Sequence, residues 1–235
     1  MADSYKGKNK NKQVLISVKN LSKVYQTAAG DFTALHEINL VVYQGELLTV
    51  IGKSGAGKTT LINMISGIDH ITSGEIVFDG ERVNQMNENQ LAVWRGRKLG
   101  MIYQSFYLMP GLNLINNIAL PFDFAGLYQR DKAKARALEL LRMVELEEHA
   151  YKYPSQISGG QQQRVAIARA LVNDPPVIVA DEPTGRLDSV TAEVIFKIFE
   201  KLVKQGKTIL MVSHDMNFAN RSSRTLEIAD GRIIY

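Results

Sequence analysis

The 235-residue chain contains no cysteine, which rules out a disulfide framework and any metal site built on thiolates and accords with a reducing compartment. It has no apolar stretch approaching the ~18 residues that a membrane-spanning helix needs. Membrane contact is therefore expected to be peripheral and made through a partner. The start is polar and lysine-rich with no apolar segment behind it, so no secretory leader is expected. A large excess of one charge is also missing: the net charge is +4, too mild to argue for nucleic acid, though suited to work beside an anionic membrane surface. Much of the basic excess lies in Lys6, Lys8, Lys10 and Lys12, interleaved with Gly and Asn. Residues 1–12 read as a flexible, solvated tail.

What is present is ordinary globular composition, 45% hydrophobic and 22% charged, with enough chain for a substantial core. Apolar, β-branched runs at Val14–Val18, Ile38–Tyr43 and Leu47–Ile51 read as strands, with turn signals at Gly30-Asp31 and Gln44-Gly45-Glu46. Further strands are expected at Glu75–Phe78 and Leu99–Tyr103. From about 105 to 160 the chain changes character. Ala133, Ala137, Leu140, Leu141 and Val144 recur at helical spacing, and the segment reads as a mostly helical subdomain. Then follow a helix at Gly160–Val172, a strand at Val177–Ala180, a helix at Val190–Lys204 and a strand at Thr208–Val212. Such alternation implies a parallel sheet under covering helices, and the continuous apolar runs suit strands buried on both faces.

The run Gly52-Lys53-Ser54-Gly55-Ala56-Gly57-Lys58-Thr59-Thr60 follows an apolar strand and precedes the apolar positions Leu61, Ile62, Met64 and Ile65 of a helix, with Gly67 as its stop. That is the context a phosphate-binding loop requires. Glycines let successive backbone N–H groups converge on an anion, and the helix adds the positive end of its dipole. Lys58 would reach the β- and γ-phosphates and the Thr59 hydroxyl would ligate Mg²⁺. The loop alone points to a nucleotide and no further.

Asp181 and Glu182 directly follow the apolar strand Val177–Ala180, at the edge where a parallel sheet presents its ligand crevice. In isolation, Asp-Glu before Pro183 could be a polar turn. Behind a phosphate loop, Asp181 fits the second Mg²⁺-binding position, and Glu182 can act as general base on the attacking water. His214 follows another apolar strand and is expected on the same crevice edge, where a lone histidine is more often structural than catalytic.

Ser158-Gly159-Gly160-Gln161 precedes a helical run, so a hydroxyl and backbone N–H groups can face an anion. A simple helix cap needs one such residue, and the doubled glycine suggests close approach to a ligand. Taken with the loop and the acidic pair, Ser158-Gly159-Gly160-Gln161-Gln162-Gln163-Arg164 resembles the signature of the ATPase domains of ABC transporters. The resemblance runs from Leu21 to the C-terminus, with the family's elements once each and in order. It implies an α/β phosphate-loop (P-loop) NTPase fold with a mostly parallel core sheet, an N-terminal antiparallel β subdomain and a helical signature subdomain. Residues 13–104 and 161–235 would form the ATP-binding core, and 105–160 the helical part.

The resemblance also implies roles. Tyr25 matches the aromatic that stacks on adenine, Gln104 the glutamine loop that touches metal and attacking water, His214 a hydrogen-bond donor to the γ-phosphate, and Gly185-Arg186-Leu187-Asp188 the loop that follows the acidic pair. Ser158, Gly159, Gly160 and Gln161 would meet the γ-phosphate held by another protomer. Since the chain carries one phosphate loop and one signature, two chains are needed for a symmetric pair of sites, and a homodimer has that symmetry. The cofactors implied are ATP and Mg²⁺; the partners are a second ATPase protomer and an integral membrane permease, with no nucleic acid, at the cytoplasmic face of the inner membrane.

Gln104-Ser105-Phe106, Leu120-Pro121 and Asp181-Glu182-Pro183-Thr184-Gly185 resemble the lipoprotein-releasing and macrolide-exporter branch, which implies export or extraction of a lipoprotein, peptide, lipid or drug. A related division ATPase that drives transmembrane signalling is the alternative, and a soluble non-transport ABC ATPase a more distant one. Lys53 stands where that branch often has proline, Ile157 where it has leucine and Arg186 where it has asparagine. None of these removes a group that hydrolysis requires.

Overall fold

The computed structural model describes residues 13–28, 30–125 and 130–234; the expected tail at 1–12 lies outside them. Two sheets organise the chain. The first is antiparallel, built from β1 (Val14–Thr27), β2 (Gly30–Tyr43), β4 (Ser73–Phe78) and β5 (Glu81–Arg82) in the order β2-β1-β4-β5. Its hairpin turns one step earlier than the Gly30-Asp31 signal suggests: Gly30 already pairs with Thr27, and Asp31 with Gln26. Tyr25, paired with Phe32, therefore belongs to a strand.

The second sheet contains β3 (Leu47–Ile51), β6 (Leu99–Ile102), β7 (Val177–Asp181), β8 (Thr208–Ser213), β9 (Arg224–Ala229) and β10 (Arg232–Ile233), in the order β10-β9-β3-β8-β7-β6. All neighbouring pairs are parallel except β9 with β10. The register places Ile51 beside Ser213 and Asp181 beside Val212. The carboxyl ends of β3, β8 and β7 are thus level along one edge, where a parallel sheet holds its ligands.

Seven helices are described: α1 (Lys58–Ile65), α2 (Glu88–Lys98), α3 (Leu114–Phe124), α4 (Arg130–Met143), α5 (Gly159–Ala170), α6 (Ser189–Lys204) and α7 (Met216–Arg221). Residues along the central strands alternate between two cores, as the period-2 side-chain geometry demands. Val177, Val179, Leu210 and Val212 face α1 and the antiparallel sheet, with Leu61, Ile65, Phe78 and Trp94. Ile178, Ala180, Ile209 and Met211 face α3 to α6, with Leu114, Leu141, Val165 and Phe199. Because every residue of Ile178–Ala180 and Ile209–Val212 is at most 1% exposed, these runs carry no polar alternation. No helix among the described residues is long and apolar enough to cross a membrane.

Candidate functional site

The phosphate-binding run leaves β3 and enters α1 with Gly57 at φ 103°, a left-handed conformation that favours glycine. A Cβ at Gly57 would lie 2.8 Å from the carbonyl oxygen of Ala34 in β2. The residue is glycine both for its dihedral and because a neighbouring backbone presses on it. Ser54, Gly55, Gly57, Lys58, Thr59 and Thr60 line one wall of a cleft of about 640 Å³; Gln104, Glu182 and His214 line the other, with Phe32 and Ala34 contributed by β2. Lys53 and Ala56 complete the loop through an Ala56 N–H bond to the Lys53 carbonyl at 3.2 Å.

Lys58 is buried, and its ammonium donates to the carbonyls of Gly52 at 2.7 Å and Lys53 at 3.1 Å. A Glu182 carboxylate oxygen lies 3.8 Å away. A cation folded back onto loop carbonyls holds the curve in which an anion sits, and it carries charge for which those neutral acceptors are poor partners. Thr59 donates its hydroxyl to Asp181 at 3.3 Å, joining the first turn of α1 to the end of β7. Burial pushes the Asp181 carboxyl above the ordinary aspartate range; the adjacent Glu182 charge adds to this, while Thr59 and Lys58 oppose it. A desolvated carboxylate beside a hydroxyl is a hard-oxygen donor pair of the kind Mg²⁺ takes when phosphate oxygens and water supply the rest.

Glu182 sits at φ 46°, an uncommon conformation for a residue with a side chain and one that concentrates at functional positions. Its amide donates to the Val212 carbonyl at 3.0 Å, pinning it to β8. Its other carboxylate oxygen meets His214 Nδ1 at 2.8 Å and accepts from the His214 amide at 3.3 Å. The carboxylate side chain is 15% exposed while the imidazole is 67% exposed, so the pair reaches from the protein interior to the open cleft. The Gln104 amide nitrogen approaches Gly185 so closely that a Cβ there would lie at 2.8 Å, which links the glutamine to the loop after β7.

Tyr25 stands outside the cleft lining, on β1, with its hydroxyl 3.0 Å from Asp69. Ser158, Gly159, Gly160 and Gln161 are also elsewhere, at the start of α5. Ser158 caps that helix: its hydroxyl accepts from Gln161 N–H at 3.3 Å, and Gln161 returns a side-chain oxygen to Ser158 N–H at 2.9 Å, a capping box. Gly160 has an internal reason to be glycine besides the expected approach to a ligand, because a Cβ would lie 2.5 Å from the Thr191 methyl on α6. Gly159 faces outward, with only the Phe106 ring, at 3.8 Å, near its would-be Cβ.

Two residues not singled out in the sequence connect these parts. Gln163 is fully buried and donates to the Pro183 carbonyl at 2.6 Å, tying α5 to the Glu182 loop. It falls on the same stripe as Ala166, Ile167 and Ala170, a spacing from which its burial could have been read. Arg169, at the other end of α5, donates to the carbonyls of Phe106 and Tyr107 at 2.8 and 2.5 Å, anchoring the segment that follows Gln104. No local sequence signal marks that contact, which spans some sixty residues.

A parallel sheet whose carboxyl edge gathers a glycine-rich loop, a buried lysine and two carboxylates defines a phosphate-loop nucleotide-binding protein. Residues 35–185 match the family model described as ABC transporter. An ABC transporter ATP-binding protein of Methanocaldococcus jannaschii, MJ0796, described as uncharacterized, is 43% identical over 223 residues, covering 93% of this chain and 95% of that protein. One from Thermotoga maritima, similarly described, is 43% identical over 211 residues, covering 90% of each. A solved dimeric structure of MJ0796 in a post-hydrolysis state bound to ADP and Pi matches with a TM-score of 0.87 at 40% identity, over 94% of this chain and 97% of that one. A second dimeric structure of MJ0796 matches equally well, at 41% identity and the same coverage. The chain belongs to the ABC transporter family and is its ATP-binding subunit, a type of domain that implies ATPase activity.

Proposed function

We propose that two copies of this chain close around two Mg·ATP molecules and that the cycle of closure and hydrolysis powers export or extraction of a substrate through a separate membrane subunit. The observation that carries the reading is the convergence in one cleft of Lys58, the Thr59–Asp181 pair and the Glu182–His214 pair, while the Ser158 capping box sits apart and exposed. In this reading each composite site takes its phosphate loop from one copy and its signature from the other. The dimeric state of the MJ0796 structures supports that arrangement.

Lys58 turns from the loop carbonyls to the β- and γ-phosphates. Thr59, Asp181 and Gln104 would hold Mg²⁺, which when bound neutralises charge on the phosphate oxygens. Glu182, aimed by His214 and by its bond to β8, takes a proton from the attacking water. Tyr25 stacks on the adenine. Only ATP carries a γ-phosphate that both surfaces can touch, so ATP favours the closed pair through contacts the open state lacks.

Residues 105–160 act in this proposal as the helical subdomain that reports nucleotide state outward. An apolar groove of about 560 Å³, walled in part by Tyr107, Met109, Leu120 and Pro121, supports that side as the seat of the permease, with the chain held peripherally at the cytoplasmic face of the inner membrane. Resemblance to the lipoprotein-releasing and macrolide-exporter branch supports export or extraction.

Glu182→Gln is the direct test. The substitution keeps the shape and removes the base, so phosphate release should fall about 10²- to 10⁴-fold while ATP binding persists and an ATP-dependent dimer accumulates. Turnover within twofold of the parent would remove Glu182 from this role.

A further inference from the structure

We propose that Lys23 and Asp69 are positioning residues for the nucleotide base: together they lock the Tyr25 ring against β1 and α1, leaving one ring face for stacking. The inference deepens the nucleotide-binding reading and rests on Tyr25 as the base platform.

Four groups meet at this point. Lys23 is a buried charged residue, 8% exposed, and an ammonium in such a place must be paired. Its nitrogen donates to Asp69 Oδ1 at 2.9 Å and to the His70 carbonyl at 2.6 Å, and it lies 4.7 Å from the centre of the Tyr25 ring, within cation–π range. Asp69 has a fixed acceptor role on both oxygens: Oδ1 also takes the His70 amide at 2.7 Å, and Oδ2 takes the Tyr25 hydroxyl at 3.0 Å. Asp69 is itself held to α1 by its amide, which donates to the Asn63 carbonyl at 3.3 Å.

The protonation states support this geometry. Burial, then Asp69, raises the phenol above its ordinary value, so it stays a donor. Burial alone would raise the Asp69 carboxyl, but the hydrogen bonds from Lys23, the His70 amide and Tyr25 bring it below the ordinary aspartate range, so it stays an acceptor. The ring is thus tied at its hydroxyl to the element that begins with the phosphate loop, and one of its faces is taken by Lys23. An aromatic platform held in place before the ligand arrives avoids the ordering cost that a free side chain pays on binding. The same tie connects the platform to the phosphate loop, because Asp69 hangs from Asn63 of α1, the helix that the loop opens.

The test compares ATP with a ligand that has the phosphates but no base. In the full chain, Asp69→Asn should raise the KM for ATP about three- to tenfold with kcat held, while the inhibition constant of Mg·tripolyphosphate stays within twofold. Tyr25→Phe, which keeps the ring and drops the tie, should give the same split, and the double variant should be no worse than Asp69→Asn alone, since the phenol–carboxylate bond that Tyr25→Phe removes is one of those that Asp69→Asn already weakens. Tyr25→Ala serves as the control on the underlying reading. If it leaves ATP affinity intact, the base does not stack there and the proposal falls with it. If Tyr25→Ala weakens ATP but Asp69→Asn does not, the platform stands and the lock is overturned. Equal loss of ATP and tripolyphosphate in Asp69→Asn would mean general damage to the loop and would also overturn it.

Discussion

The two halves of the proposed composite site are built differently. At the cleft, polar groups from β3, α1, β7 and β8 are brought together by strand register, and most are partly enclosed: Lys58 and Glu182 have side chains 9% and 15% exposed. At the start of α5, Ser158 and Gly159 stand on the surface, and the capping box satisfies its own donors. Both halves are internally partnered, yet only the first has walls. A lone exposed cap has little to hold a phosphate with, so the second half acquires its function from the surface it meets. Under the proposed dimer, the difference means that binding would belong to one copy and commitment to hydrolysis to the pair.

The largest effect on nucleotide binding expected from breaking the enclosed half is that of Lys58→Ala. Losing charged hydrogen bonds to phosphate should weaken nucleotide binding roughly 10- to 150-fold, measurable by calorimetry. Next comes Asp181→Asn, whose effects should have opposite signs with and without ligand. The folded carboxyl is raised above its ordinary value, so the stability associated with its protonated form is present below the unfolded pKa and is lost as pH rises through the raised folded value. At neutral pH the ionised group is therefore a liability to the free protein. Asp181→Asn should melt at or above the parent temperature at pH 7, with the gap closing in acid, yet bind ATP in Mg²⁺ roughly tenfold less tightly. Paired melting curves and titrations check both signs.

On the exposed half the smallest effect should come from Gly160→Ala, which places a methyl against Thr191. Thr191 is held by a 2.6 Å bond to Asp188 and has little room to yield, so a loss of about 1 kcal/mol in unfolding free energy is expected. Thr191→Ser, which removes the obstructing methyl, should restore it. A Gly160→Ala variant as stable as the parent would return the explanation of this glycine to ligand approach alone.

Where chemistry is local in sequence, it was legible. The loop, the carboxylates after β7 and His214 after β8 each follow an apolar run, and the parallel sheet brings such strand ends to one edge. Helix α1 and the strands β3, β7 and β8 were readable for the same reason, since buried strands and a capped helix write themselves in continuous or periodic apolar positions. Short edge elements such as β5, β10 and α7 carry too few residues for a pattern. The α2 helix, with a strong Asn87–Gln90 cap but buried residues only at Leu91 and Trp94, has a stripe too thin to stand out. Contacts between distant segments left no trace at all: Arg169 on the Phe106 carbonyl, and Lys23 and Tyr25 on Asp69, join residues with no spacing rule between them.

The central claim, that the exposed cap is the second half of a site completed by another copy, is tested most directly by Ser158→Arg in a Glu182→Gln background. Nucleotide affinity and sedimentation in ATP are measured on the same samples. The account predicts that the single Glu182→Gln chain sediments as a dimer in ATP, whereas the double variant binds ATP within about threefold of it and remains a monomer. A double variant that dimerises as well as the single one, or that loses ATP binding as a monomer, would contradict it.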